Sequence, residues 1–143
     1  LFATLDPAQR RLFIGTAEQG AAGSIAVLAD TVGFIRRLPE DLVSAFRATL
    51  EELREAAVIV HVLDASDQLI GERQAAVRRI LDEIGAGEIP EIRVLNKCDL
   101  VSPATAQALA REHAALPAAA LRGEGLARVV DEIRVRLGRG GAQ

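Results

Sequence analysis

Short apolar runs rich in β-branched residues recur along this chain, and longer stretches with a helical apolar period separate them. The runs cover residues 24–29, 57–63 and 91–95, with a weaker one near 117–121. Each is close to continuously apolar, as a strand covered on both faces requires. Parallel neighbours need a crossover, so runs alternating with helical stretches predict an α/β fold: a mostly parallel sheet with helices on both faces. Residues 11–15 make a further candidate strand, joined to 24–29 by a loop containing Gly20 and Gly23, and this pair reads as a hairpin with a long turn.

Between the runs, Leu42, Phe46, Leu50 and Leu53 fall on one helical face, as do Val77, Ile80, Leu81 and Ile84. Gly85 and Gly87 then end that second helix. Ser102 before Pro103 is an N-cap with proline in the first turn, opening a third helix to about residue 115. Leu126, Val129, Val130, Ile133 and Leu137 line a last one. The three glycines in 138–143 predict a flexible tail, which leaves 1–137 as one domain with no internal repeat and no dividing linker.

Composition narrows the function classes. With 143 residues, half of them hydrophobic, the chain can bury a core. Its net charge of -3 comes from 17 basic and 20 acidic residues without a long run of one sign, so duplex DNA is not an expected partner. Aromatic residues make up 3% and include no Trp or Tyr, which removes the stacking platform for single strands. No apolar run approaches the roughly 20 residues of a membrane span, and no basic-then-apolar leader opens the chain. A cytoplasmic location is expected. Cys98 is the single cysteine, so no internal disulfide can form, in keeping with a reducing compartment.

Ligands of parallel α/β sheets sit beyond the carboxyl ends of the strands, and those ends are chemically loaded here. After 24–29 comes Asp30-Thr31-Val32-Gly33-Phe34. A carboxylate at a strand end can hold magnesium through water, and a glycine three residues on lets a backbone N–H approach a terminal phosphate. Alone, this D-x-x-G spacing recurs by chance in many proteins. After 91–95 comes Asn96-Lys97-Cys98-Asp99. An ionised Asp is acceptor-only, and its two oxygens can take both the N1–H and the N2–H of guanine, a pair that adenine lacks. A wrong base leaves buried polar groups unpaired, so such discrimination is large. Asn96 can donate to the base and brace the neighbouring loops, while the Lys97 stem can lie over the base or ribose. A plain turn rich in Asn and Asp accounts for the same four residues taken alone.

A third segment agrees with these two. Ala119-Ala120-Leu121 precedes Gly123-Glu124-Gly125 and a helix, where nucleotide-binding GTPases place a loop whose backbone N–H meets guanine O6. Three weak signals in the right order at strand ends point to a guanine nucleotide. Other polar residues have plainer roles. His61 and His113 lack a second His or Cys at ligand spacing, so core or surface roles suffice. Asp64 and Asp67, three apart after a strand, are read as caps of the next helix.

The sequence resembles the HflX GTPases, a branch of the translation-factor-related P-loop GTPases. The matching stretches are Leu1-Phe2-Ala3-Thr4-Leu5-Asp6-Pro7, Asp30-Thr31-Val32-Gly33-Phe34-Ile35, Phe46-Arg47-Ala48-Thr49-Leu50-Glu51-Glu52, Val62-Leu63-Asp64-Ala65-Ser66-Asp67 and Asn96-Lys97-Cys98-Asp99-Leu100. The first and third are the specific ones. The resemblance implies a three-layer P-loop GTPase fold that binds GTP or GDP with Mg2+, and the large ribosomal subunit as partner. Thr4 resembles the switch I threonine that meets magnesium and the γ-phosphate, and Asp30 with Gly33 the switch II pair. Thr31 lies beside them; Asn96, Lys97, Asp99, Ala119, Ala120 and Leu121 would hold the base.

Two departures from the family stand out. The fifth motif, usually Ser-Ala, is Ala119-Ala120 here, so a hydroxyl is missing. No G-x-x-x-x-G-K-[ST] occurs in the 143 residues, and with it goes the cradle that holds phosphates. By the resemblance, the first strand and P-loop lie just upstream, so the chain reads as a truncated GTPase domain, inactive alone; the alternative is a non-enzymatic interaction module. The absent strand would lie between those ending at Asp30 and near Asp64, so the expectation is that another segment fills the gap or that these two pair directly. Phe34 stands where Ras-like enzymes carry the Gln that orients water, which implies slow unassisted hydrolysis.

Overall fold

A computed structural model of the chain describes residues 9–13, 25–30 and 52–140. The chain divides into two compact units, Leu1–Glu55 and Ala56–Gln143.

In the first unit, β1 (Gln9–Phe13) and β2 (Ile25–Ala29) form an antiparallel ribbon running from Gln9 opposite Ala29 to Phe13 opposite Ile25. This is the hairpin expected from sequence, with its first strand starting two residues earlier. Ile25, Val27 and Leu28 of β2 are exposed. Of the helical pattern read at 42–53, only the end lies within the described residues, and there Glu52–Glu55 is a 3-10 turn.

The second unit runs β3 (Ile59–Asp64), α1 (Ile70–Glu83), β4 (Glu91–Asn96), α2 (Pro103–Glu112), β5 (Leu116–Pro117) and α3 (Leu126–Gly140). Its strands form one parallel sheet in the order β3-β4-β5. Asp64 is opposite Asn96, so β3 and β4 finish level with each other.

Alternation along the strands divides the core between two faces. Leu63 and Leu95 pack with Ile70, Leu109, Ala110 and Ala115 on the side of α1 and α2. Ile92 and Val94 pack with Ala118, Val129 and Ile133 on the side of α3. A parallel sheet with helices on both faces is therefore present, as the apolar runs required. Leu95 is fully buried at its centre, and burying such a side chain stabilises by about 1.5–3 kcal/mol.

Helix ends follow local chemistry. Ser102 Oγ accepts from the Thr105 N–H at 3.1 Å, with Pro103 beginning α2. At the end of α1, Gly85 takes φ 75° while Ala86 N–H bonds to Leu81 O and Gly85 N–H to Asp82 O, the paired bonds of a left-handed helix stop. The same stop closes α2 at Ala114, φ 48°, with Ala115 N–H on Ala110 O. Helix α2 therefore ends at Glu112, three residues before the expected 115. Helix α3 continues to Gly140, past the expected tail boundary at 138. Its solvent side carries ion pairs Asp131–Arg134 at 2.7 Å and Glu132–Arg136 at 2.8 Å. A single glycine near a helix end costs only about 1 kcal/mol relative to alanine, too little to stop the helix at Gly138.

Each of the two strands expected to flank a gap has one partner: β2 pairs with β1, and β3 with β4. β2 belongs to the first unit and β3 to the second.

Candidate functional site

The carboxyl end of β4 turns sharply. Lys97 adopts φ 62°, a left-handed conformation, and Cys98–Leu100 form a 3-10 turn with Leu100 N–H on Lys97 O at 2.9 Å. The turn is fastened to the segment after β5: Cys98 N–H donates to Ala118 O at 3.0 Å, and Ala118 N–H to Leu95 O at 2.8 Å. The Cys98 thiol bonds Leu95 O at 3.1 Å, a packing role for this side chain.

Asn96 joins the two loops directly. Its Oδ1 accepts the Ala120 N–H at 2.9 Å. Only an oxygen can accept there, so the amide orientation is fixed and the NH2 is directed elsewhere. The second loop is itself closed by reciprocal bonds between Ala119 and Glu124, at 3.0 and 3.2 Å. Gly125 makes this closure possible. It sits at φ 77°, and a Cβ there would lie 2.4 Å from Pro117 O and 3.0 Å from Ala118 Cα. Ala119 is buried, whereas Leu121 is almost wholly exposed.

Asp99 points inward, its side chain 11% exposed, and its partner is Arg122, whose Nε lies 3.6 Å from Oδ2. Among the described residues the Asp99 carboxylate accepts no hydrogen bond. Lys97 reaches the neighbouring strand end, where its Nζ lies 2.6 Å from Asp64 Oδ2. Asp64 also accepts from Ser66 N–H and Oγ, at 2.9 and 2.6 Å. Burial alone would raise the Asp64 carboxyl, but the hydrogen bonds from Lys97 and Ser66, with the Lys97 charge, hold it below the ordinary aspartate value.

The capping role expected of Asp64 is thus replaced by a tie to Lys97, because the level register of β3 and β4 puts the two side by side. Asp67 does serve the start of α1, its Oδ1 accepting Leu69 N–H at 3.0 Å and its carbonyl Ile70 N–H. His61 and His113 lie in the interior of the second unit's polar network, His61 Nδ1 against Glu91 and His113 Nδ1 against Gln74.

Among the expected site residues, Asn96, Lys97, Asp99, Ala119, Ala120 and Leu121 therefore fall in two loops bonded to each other. Asp30 directly follows β2 in the other unit and is exposed. Thr4, Thr31, Gly33 and Phe34 lie outside the described residues. Arg122 and Asp64 are additions that motif spacing does not reveal. Among the described residues no group of three or more His, Cys, Asp or Glu side chains is placed to hold a metal ion. No described helix is long and apolar enough to cross a membrane.

No protein-family model matches the chain. It is similar to GTPase HflX of Escherichia coli K12, at 54% identity over 101 residues, 71% of this chain and 22% of that protein. GTPase HflX of Magnetococcus marinus is 37% identical over 142 residues, 97% of this chain and 31% of that one. In sequence, this chain belongs to the HflX family. It spans less than a third of the length of these two HflX relatives. Among solved structures, a crystal structure of an SsGBP mutation variant superimposes with a TM-score of 0.75 at 25% identity, covering 92% of this chain and 47% of that one. The HflX relatives support a GTPase family for this chain, and the solved structure shares its α/β fold.

Proposed function

We propose that this chain carries the guanine-reading part of a GTP-hydrolysing HflX switch. The observation that supports this best is Asp99: a carboxylate in the turn after β4, its side chain 11% exposed, that accepts no hydrogen bond among the described residues, as an acceptor kept for a ligand would be. Its two oxygens would accept guanine N1–H and N2–H. Asn96 would brace the second loop through Ala120 and offer its NH2 to the base. The Lys97 stem, held by Asp64, would lie over the base or ribose. Ala119 N–H is given to Glu124 and Ala120 N–H to Asn96, so guanine O6 would share the Ala120 donor or meet Leu121.

In this reading residues 1–137 form one partial GTPase domain. Thr4 and Asp30 would hold Mg2+, and Gly33 and Thr31 would line the γ-phosphate side. Magnesium there would neutralise phosphate charge. With Phe34 in place of a water-orienting Gln, hydrolysis would depend on help from a partner, for which the large ribosomal subunit of the cytoplasm is the candidate. Turnover by the longer protein carrying this segment should rise on adding ribosomes; a rate equally fast without them would refute the dependence.

Base reading has its own test. Asp99→Asn places an NH2 where one carboxylate oxygen stood, so affinity for GDP should fall at least about 100-fold. Affinity for xanthosine diphosphate, which carries an oxygen at C2, should rise. A variant that still prefers GDP, measured by titration calorimetry, would remove Asp99 from the base site.

A further inference from the structure

We propose that Arg122 is the positioning residue of the base site: it orients the Asp99 carboxylate so that both oxygens face the base edge. This rests on the base-reading role proposed for Asp99. The segment Ala118-Ala119-Ala120, fastened against the turn at 96–98, carries only methyl side chains and so offers no side-chain donor. The sole side-chain partner of Asp99 among the described residues is the Arg122 guanidinium.

Arg122 is well placed for this. It ends the short 3-10 turn Ala120–Arg122, with its N–H bonded to Ala119 O at 2.9 Å and Gly123 at φ 73° turning the chain immediately after. That turn is locked on one side by the Ala119–Glu124 bonds and on the other by Asn96. The backbone under Arg122 is therefore fixed relative to Asp99.

The contact has the right character as well. At 3.6 Å between Nε and Oδ2 it is an ion pair outside hydrogen-bond reach. It biases the carboxylate plane, a soft two-fold torsion, without occupying the lone pairs that guanine would use. Because the Arg122 side chain is 60% exposed, solvent screens the pair and it adds little to folding. Loss of Arg122 should therefore change recognition and leave stability nearly intact.

Inosine monophosphate, which lacks the 2-amino group, isolates this effect. It loses the contact to the second Asp99 oxygen, so the preference for GMP over inosine monophosphate measures how well both oxygens are aligned. The test is NMR titration of the chain with GMP, inosine monophosphate and AMP at millimolar concentrations, with thermal melts of each variant. The wild-type chain should favour GMP over both. Arg122→Gln should shrink the GMP-to-inosine ratio by about 2- to 5-fold with an unchanged melting temperature, and Arg122→Lys, which keeps the charge, should retain most of the ratio. An unchanged ratio in Arg122→Gln, or equal weakening of GMP and inosine monophosphate, would overturn the role of Arg122 while leaving Asp99 as base reader. A wild-type chain that fails to favour GMP over AMP would overturn the base-reading role itself and this proposal with it.

Discussion

Glu91 and Asp99 are carboxylates at opposite ends of the β4 segment, with side chains 10% and 11% exposed. Their surroundings differ. Glu91 Oε1 lies 2.8 Å from His61 Nδ1 and its Oε2 accepts from Arg93 Nη2 at 3.3 Å, while Arg93 Nη1 donates to His113 O at 3.1 Å. Both oxygens are satisfied, and the network ties β3, β4 and the end of α2 together. Burial would raise the Glu91 carboxyl, but hydrogen bonds and charge from Arg93 and His61 hold it below the ordinary glutamate value. Among the described residues Asp99 has one ion pair and no hydrogen bond. Equal burial thus serves two ends: the amino end of the sheet spends its charge on itself, and the carboxyl end keeps an acceptor in reserve. That is the polarity expected of a parallel α/β sheet.

The comparison can be broken at its midpoint. Leu95→Ala empties the fully buried position between the two carboxylates and should cost about 2–5 kcal/mol in urea unfolding. A loss below about 1 kcal/mol would mean that the two ends do not share a core. Gly125→Ala attacks the carboxyl end alone. Its φ of 77° and the 2.4 Å approach to Pro117 O should cost about 3 kcal/mol, with the amide signals of Ala119, Ala120 and Glu124 shifting most.

The smallest effects sharpen the contrast. Glu91→Gln removes the negative charge facing Arg93 and His61 and replaces one of the two accepting oxygens by an NH2, and should destabilise by about 2 kcal/mol, whereas Asp99→Asn should change stability by less than about 1 kcal/mol, because no hydrogen bond is lost among the described residues. Acid gives the same test without mutation. With a folded pKa below the unfolded one, Glu91 stabilises fully above about pH 4.3, and that contribution disappears as pH falls through the folded value. Asp64 acts in the same direction but more weakly, being more exposed. Melting curves from pH 6 to pH 2 should therefore decline less steeply in Glu91→Gln than in wild type.

Much of this was readable in the sequence because it is locally encoded. The apolar run at β4, the Ser102-Pro103 cap and the Gly85 stop each carry their signal within a few residues. What escaped depends on register or on atypical residues. Helix α1 starts at Ile70 after an N-cap, Leu69, that makes no side-chain cap bond, so Asp67, two residues earlier, is the one polar residue that marks its start. Ala114 ends α2 in a conformation that usually calls for glycine. The Lys97–Asp64 tie spans 33 positions and exists because Asp64 and Asn96 are paired in register. The four-residue guanine pattern was legible at the candidate site, yet the Arg122 partner of Asp99 was not, since no spacing rule links a strand-end turn to a guanidinium beyond the next strand.

The Asn96–Ala120 bond has a thermodynamic consequence. Closing a loop on a ligand normally subtracts ordering entropy from the affinity. Here the loop after β5 is already closed on Asn96 and on Glu124, so docking a flat ring would freeze few backbone torsions. A handful of polar contacts could then appear in the binding free energy with little subtracted, and the encounter would need no slow folding step before it.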